Sequence, residues 1–186
     1  MSFPGTLSLE PETLMNLVRD VCLNLIHHGY KKIIVVECHG GNKIVLDAAL
    51  RKVKDATDGK KLFLCKVVPW LLGLEKWKEI RSGPPWASYH GGESETSQMM
   101  AMGQNVRIQE IRKKPKGPTY LIPDFTRFEG AKYPGSVSWT WNTPEQTKDG
   151  CFGDPTYATA EKGERALETT SDVFAEFLKQ VVELKL

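Results

Sequence analysis

Residues 33–42 read Ile33-Ile34-Val35-Val36-Glu37-Cys38-His39-Gly40-Gly41-Asn42, and this segment sets the architecture of the chain. Its four consecutive β-branched residues, bounded by charge and glycine, predict a strand covered on both faces, as in a parallel sheet. Apolar residues at helical spacing follow between Ile44 and Val53, and the run from Leu62 to Val68 predicts a second buried strand. A strand, a helix and a strand joined by short links predict an α/β fold with a right-handed crossover.

Long helices are predicted on both sides of this region. Apolar residues recur at helical spacing from Leu9 to His28, where Gly29 is the expected C-cap, and again from near Thr159 towards Leu186. Three shorter elements are also expected: a helical piece over Trp70 to Trp77, a helix over Glu93 to Met102, and an edge strand over Ser136 to Trp141. The sequence has no internal repeat or domain boundary, so residues 1–186 are expected to form a single α/β domain.

The composition is that of an ordinary globular protein. The 186 residues are 40% hydrophobic and 26% charged, which excludes a disordered, collagen-like or coiled-coil chain. The formal net charge is +2, so no electrostatic feature calls for nucleic acid or an anionic membrane as a partner. No apolar run is long enough for a membrane span, the start lacks a secretory-signal pattern, and the four cysteines form no CxxC pair. A reduced, cytoplasmic protein is therefore expected.

His39 is the first candidate site residue, because it comes directly after the first predicted strand. Ligands of open α/β sheets bind at the carboxyl ends of the strands. Gly40 and Gly41 let a ligand approach the backbone closely, and Asn42 can cap the following helix. The alternative is a glycine-rich turn in which His39 is hydrogen-bonded to a backbone carbonyl. A phosphate site is disfavoured because the stretch lacks the lysine–serine ending of a P-loop.

The second candidate segment is His90-Gly91-Gly92-Glu93-Ser94-Glu95-Thr96-Ser97. It places a histidine and two carboxylates on a glycine loop that enters a helix, which suits a metal site or a general base. His90 and Glu95 can converge only if His90 lies on the loop and Glu95 in the first helical turn. The alternative is a capping box from Ser94 to Ser97. Trp86 is either a core aromatic or a lid over a flat ligand.

Together these segments resemble the creatininase (creatinine amidohydrolase) family. The resemblance covers residues 3 to 185 and rests on these segments: Phe3-Pro4-Gly5-Thr6-Leu7-Ser8-Leu9, His28-Gly29-Tyr30, His39-Gly40-Gly41-Asn42, His90 to Ser97, Gly153-Asp154-Pro155 and Ala158-Thr159-Ala160-Glu161-Lys162-Gly163. It implies a three-layer α/β/α sandwich with a mostly parallel sheet. It also implies a metal-dependent hydrolase of a small amide or cyclic amide, using one or two divalent ions, Zn or Mn. Family members usually assemble as hexamers, so a homo-oligomer that binds a small-molecule substrate is expected.

The resemblance implies a role for each candidate residue. The roles by position are metal ligand for His39 and Glu95, proton shuttle for His90, substrate contact for Trp86, and substrate binding for Gly40, Gly41 and Asn42. Gly41 stands where creatininase itself has a carboxylate, which indicates a different substrate. Cys38 replaces the usual glycine and adds a thiol near the site.

The resemblance further implies metal ligands that lie upstream of Pro4. The family's first strand carries a Glu-x-His-Gly-x-His-type motif and a following Asp, whereas this sequence starts at Met1, so that strand is expected to be missing. Catalytic zinc sites typically use three protein ligands, and His39 and Glu95 do not complete such a set. Two alternatives therefore stay open beside the amidohydrolase: a catalytically degenerate subunit or binding protein of the same fold, and a hydrolase of a cyclic keto-sugar or inositol-type substrate.

Overall fold

The two predicted strands form and pair in parallel in the computed structural model of the chain. Strand β1 spans Lys32–Val36 and strand β2 spans Phe63–Val67, with Lys32 opposite Phe63 and Val36 opposite Val67. β-branched residues favour this extended backbone, and the intervening helix supplies the crossover that parallel pairing requires. The predicted α/β fold with a parallel sheet is confirmed.

The chain divides into two compact units. The strand unit consists of Leu7–Leu72 with Asp172–Leu186, and the helix unit consists of Met1–Thr6 with Gly73–Ser171. The structure describes residues 2–111, 132–133, 136–137, 140 and 142–186. A single domain over residues 1–186 stays a prediction. In the part of the chain that is described, no helix combines the length and the apolar character needed to cross a membrane.

The core of the strand unit joins two helices to the first strand. Helix α1 spans Pro11–His27, helix α2 spans Lys43–Ala56, and the short helix α3 spans Pro69–Leu72. The buried side chains of this core are Cys22 and Ile26 of α1, Ile33 of β1 and Val53 of α2. Burial raises the pKa of the Cys22 thiol, which stays neutral and packs as a small apolar residue.

Helix α1 ends at the predicted glycine. Gly29 has a φ of +94°, in the left-handed region that favours glycine. Its N–H donates to the Ile26 carbonyl at 3.1 Å, and the N–H of Tyr30 donates to the Leu25 carbonyl at 3.1 Å. These two hydrogen bonds define a Schellman closure, which stops the helix just before β1.

The helix unit is built from shorter helices. It contains α4 (Leu74–Ile80), α5 (Glu93–Ala101), α6 (Ile108–Ile111), α7 (Thr143–Gln146), the 3-10 turns Pro85–Ser88 and Pro155–Tyr157, and the first part of α8 (Ala160–Glu183). Its buried apolar cluster joins Trp77 and Ile80 of α4 to Ala166 of α8. The edge strand expected over residues 136–141 lies largely outside the described residues and stays a prediction.

Helices α5 and α8 approach each other so closely that one helix carries a glycine at the contact. A Cβ atom added at Gly163 would overlap the backbone carbonyl of Ser97 and would lie 2.9 Å from the Cβ of Ala101. The Ser97 hydroxyl also accepts a hydrogen bond from the N–H of Thr159 at 3.2 Å, just before α8 begins. Backbone contact of this kind fixes where α5 lies within the helix unit.

Replacing this glycine tests the contact. In a helix with free space, Gly163→Ala would stabilise the protein by about 1 kcal/mol, because alanine is the better helix former. Here we expect a loss of about 1–3 kcal/mol in the free energy of unfolding, because the added methyl group overpacks the contact with Ser97. Urea denaturation measures the change, with Glu164→Ala, at the exposed neighbouring position, as the control. An increase in the free energy of unfolding of Gly163→Ala would contradict the observed contact.

Candidate active site

His39 lies immediately beyond the carboxyl end of β1, where the sequence predicts a ligand site. Its backbone is extended, and a 3-10 turn over Gly40–Asn42 connects it to α2. The Nδ1 atom of His39 accepts a hydrogen bond from the N–H of Gly41 at 3.1 Å, and the His39 carbonyl accepts one from the N–H of Asn42 at 3.0 Å. The side chain of His39 therefore holds the turn in shape.

One expectation about this turn is wrong, namely that the side chain of Asn42 caps α2. Asn42 occupies the N-cap position of α2 without a side-chain capping bond. It is the last residue of the preceding 3-10 turn and has a helical backbone, with φ −85° and ψ −7°, whereas a capping residue has an extended one. Because the Nδ1 atom of His39 is assigned from heavy-atom geometry as the acceptor of the Gly41 N–H, a neutral His39 carries its proton on Nε2.

A buried ion pair lies directly beside the His39 turn. Glu37 is 1% exposed, and its Oε2 atom lies 2.9 Å from the ammonium Nζ of Lys66, which comes from β2. The same Nζ lies 2.7 Å from Oδ1 of Asp47 and donates a hydrogen bond to the Lys43 carbonyl at 3.2 Å. Desolvation alone would lower the pKa of Lys66, but the hydrogen bonds and negative charges of Asp47 and Glu37 outweigh it, so the pKa is raised. Lys66 is therefore fully charged at neutral pH.

His90 lies in the helix unit, partly buried against an aromatic ring. Its imidazole stacks on Phe152, with ring centroids 5.4 Å apart and an interplanar angle of 23°. The His90 carbonyl accepts hydrogen bonds from the N–H groups of Phe152 at 3.0 Å and Gly153 at 2.9 Å. Phe152 is not predicted as a partner of His90 by any local pattern, although it directly precedes the Gly153-Asp154-Pro155 segment that carries part of the family resemblance.

Glu95 lies in the first turn of α5, as its convergence with the histidine loop requires. The residue is exposed, and its Oε2 atom accepts a hydrogen bond from the N–H of Gly91 at 2.7 Å. Gly91 has a φ of +66°, so a glycine suits this position next to His90. The capping box expected from Ser94 to Ser97 is wrong, because the N-cap of α5 is Gly92 and carries no side-chain cap.

Glu93 has a different role from Glu95. It is fully buried, and its two oxygens accept hydrogen bonds from the N–H groups of Ser82 at 2.8 Å and Gly83 at 3.0 Å. The ammonium of Lys162 in α8 lies 2.6 Å from Oε1 of Glu93 and also donates to the Tyr157 carbonyl at 2.6 Å. This carboxylate is saturated by the fold, so it anchors the loop that begins at Ser82 and carries Trp86 and His90.

Trp86 lies in the 3-10 turn Pro85–Ser88 and is partly buried. The turn is tied to α4 by a hydrogen bond of 2.9 Å from Nε1 of Trp77 to the hydroxyl of Ser88. The structure therefore brings Trp86, His90 and Glu95 into the helix unit, whereas His39 and its following Gly40–Asn42 turn belong to the strand unit. Among the described residues, no group of three His, Cys, Asp or Glu side chains could hold a metal ion.

These features define a class of protein. The parallel crossover from β1 to β2 begins with a histidine turn at the carboxyl end of β1, and a separate His-Gly-Gly-Glu segment opens α5. Such strand-end placement is typical of α/β proteins that bind small ligands. A family model described as creatininase, creatinine amidohydrolase, matches residues 1–178. The chain therefore belongs to the creatininase family, as its motifs suggest.

Individual relatives agree with this family. The creatinine amidohydrolase of Pseudomonas putida is 25% identical over 189 residues, which cover 96% of this chain and 66% of that protein. The chain thus spans just under two thirds of the length of this curated relative. A crystal structure of creatinine amidohydrolase (creatininase) matches 99% of this chain and 69% of its own, with a TM-score of 0.76 at 20% identity. A creatininase structure named for Mn and a variant creatininase of Zn–Zn type match 98% of this chain and 69% of their own, with TM-scores of 0.73 and 0.69 at 19% and 22% identity.

The Glu93–Lys162 pair generates a stability prediction. Lys162→Met keeps the length of the side chain but leaves the fully buried Glu93 carboxylate without its cation. Removing one partner of a buried ion pair typically costs about 3–5 kcal/mol. We expect a loss of that order in the free energy of unfolding, measured by urea denaturation. Lys179→Met, at an exposed position of the same helix, is the control and should change stability little. Equal effects of both substitutions would show that the pair does not stabilise the unit.

Proposed function

We propose that this chain is a metal-dependent hydrolase that cleaves the C–N bond of a small amide or cyclic amide, as creatinine amidohydrolases do. The observation that carries the proposal is the family match over residues 1–178. The candidate residues support it, because His39 lies at the carboxyl end of a strand and His90 and Glu95 lie together at the start of α5. The family match does not favour the alternatives of a degenerate subunit and of a keto-sugar or inositol hydrolase.

In this proposal His90 donates a proton to the leaving nitrogen. Cleavage of an amide requires protonation of the nitrogen as the C–N bond breaks, and a histidine can both hold and release a proton near neutral pH. The stacking of His90 on Phe152 restricts the rotation of the imidazole, and the two backbone hydrogen bonds to its carbonyl fix the loop beneath it. Trp86, held by the Trp77–Ser88 hydrogen bond, is proposed to contact the substrate.

A divalent ion, Zn or Mn, would supply Lewis-acid activation of the amide carbonyl and of water. We propose His39 and Glu95 each as a ligand of such an ion, because the resemblance to the creatininase family gives both positions this role. The described residues do not fit a complete centre, since no three potential ligands come together and the Nδ1 atom of His39 already accepts the N–H of Gly41. The proposal therefore requires further ligands beyond the described residues, and no step of the reaction is assigned through the ion.

The residue at position 41 indicates which substrate the chain accepts. The resemblance places a carboxylate of creatininase at this position, whereas a glycine here offers a backbone N–H that is already bonded to His39. We propose that the substrate differs from creatinine in the group that meets this turn. A homo-oligomeric assembly and a cytoplasmic location also stay predictions, which light scattering and fractionation of the source cells test.

Metal content is the first test of the proposed function. The 186-residue chain should contain zinc or manganese when it is purified without chelators. Elemental mass spectrometry measures this metal content. Chelation should remove both the metal and any hydrolysis of a panel of creatinine-like and other small amides, and adding back Zn or Mn should restore it. A protein that stays free of metal after incubation with both ions, and hydrolyses no amide in the panel, would support the degenerate-subunit alternative instead.

Two substitutions separate the proposed roles. His90→Ala should lower kcat by about 10²–10⁴-fold, because a proton donor is lost, while metal content stays nearly unchanged. His28→Ala, at the exposed end of α1, is its control and should keep wild-type turnover. Glu95→Gln should lower metal occupancy, whereas Glu110→Gln, at an exposed position of α6, should not. Equal loss of metal in His90→Ala and Glu95→Gln would reverse the assignment of roles.

A further inference from the structure

We propose that Lys66 is the positioning residue of the His39 turn: its ammonium group joins the end of β1 to the first turns of α2 and so holds residues 38–42 in the observed conformation. This inference concerns the conformation of the turn, and its importance for turnover rests on the proposed function. Nothing in the family resemblance or in the motifs assigns a role to Lys66.

The geometry of the pairing supports this role. Lys66 lies on β2 opposite Val35 of β1, one residue before the end of that strand. Its Nζ atom lies 2.9 Å from Glu37, just before the turn, and 2.7 Å from Asp47, just after it in α2. The third contact, at 3.2 Å, is to the carbonyl of Lys43, the first residue of α2. One cation therefore bridges both ends of the segment that carries His39.

The chemistry of lysine matches these contacts. An ammonium group has three N–H donors and no acceptor, and three oxygens surround it here. Glu37 is 1% exposed, so its charge needs a cation close by, while Asp47 is largely in solvent. A neutral residue at position 66 would leave the Glu37 carboxylate buried without a counter-charge.

Apart from its internal hydrogen bonds, the turn contributes little that could hold it against the strand and the helix. Gly40 and Gly41 have no side chains to pack, and Cys38 is exposed. Within the turn, the hydrogen bond from Gly41 to the His39 ring and the bond from Asn42 to the His39 carbonyl define its shape. Lys66 contacts Glu37 before the turn and the Lys43 carbonyl after it, so it restrains both ends of the segment that these bonds shape. In this proposal the orientation of the His39 ring depends on Lys66.

Amide hydrogen exchange followed by NMR tests the proposal. In Lys66→Met, the N–H groups of Gly41 and Asn42 should exchange about tenfold faster than in the wild type, while those of the α1–α2 core at Ile26 and Val53 change much less. The ¹⁵N shifts of the His39 ring should also move, because Nδ1 loses its donor. Lys61→Met, an exposed lysine just before β2, is the matched control and should leave both readouts unchanged. Acceleration spread evenly over core and turn, or none at Gly41 and Asn42, would overturn the proposal.

A second pair of variants covers the case in which Lys66→Met does not fold. Asp47→Asn removes the negative charge of one of the three groups around the Lys66 ammonium, at a residue whose side chain is 56% exposed, so the fold should persist. It should accelerate exchange at Gly41 and Asn42 by a smaller factor than Lys66→Met, whereas Asp55→Asn, which removes an exposed ion pair with Arg51 on the same helix, should not. Identical exchange at Gly41 and Asn42 in these two aspartate variants would overturn the proposal independently.

The outcome is separable from that of the proposed function. Exchange and ring shifts are measured without substrate, so a wild-type protein that hydrolyses nothing can still show the local effect of Lys66→Met. Conversely, if the wild type is active and Lys66→Met keeps the wild-type kcat and the wild-type exchange at Gly41, the positioning role is wrong while the hydrolase assignment stands.

Discussion

Each candidate segment of this protein lies beside a buried glutamate whose negative charge must be compensated by a nearby cation. Glu37 precedes the His39 turn and meets Lys66, and Glu93 opens the helix that carries Glu95 and meets Lys162. A carboxylate removed from water is tolerated only with a cation and hydrogen bonds around it. Each pair joins residues that are far apart in the sequence. Each pair also anchors the segment that carries a candidate site residue, His39 in one case and Glu95 in the other.

The sequence predicts the elements well where its periodicity is strong. The β-branched run at Ile33 to Val36 and the glycine at the end of α1 specify their structures locally, and both were found within a residue of the expected positions. Pairing between distant residues was not predictable in this way. Neither the Glu37–Lys66 pair nor the stacking of His90 on Phe152 leaves a local pattern, because each depends on how separate segments come together in the fold.

The site residues were harder to predict than the elements. Asn42 was expected to cap α2, since asparagine is a preferred N-cap residue, but it ends the preceding 3-10 turn with a helical backbone and its side chain makes no capping hydrogen bond. Glu93 and Glu95 could not be told apart from their spacing, because both lie in the first turn of α5. Their burial differs. Both carboxylate oxygens of the buried Glu93 accept hydrogen bonds within the fold, while Glu95 stays accessible to solvent.

The close approach at Gly163 has an evolutionary consequence. Any lineage that replaces this residue loses stability unless α8 also moves away from the Ser97 carbonyl, and that movement needs changes at neighbouring positions. Homologues should therefore fall into two groups, those that keep glycine together with the tight helix crossing and those in which several neighbouring positions of α5 and α8 have changed in concert.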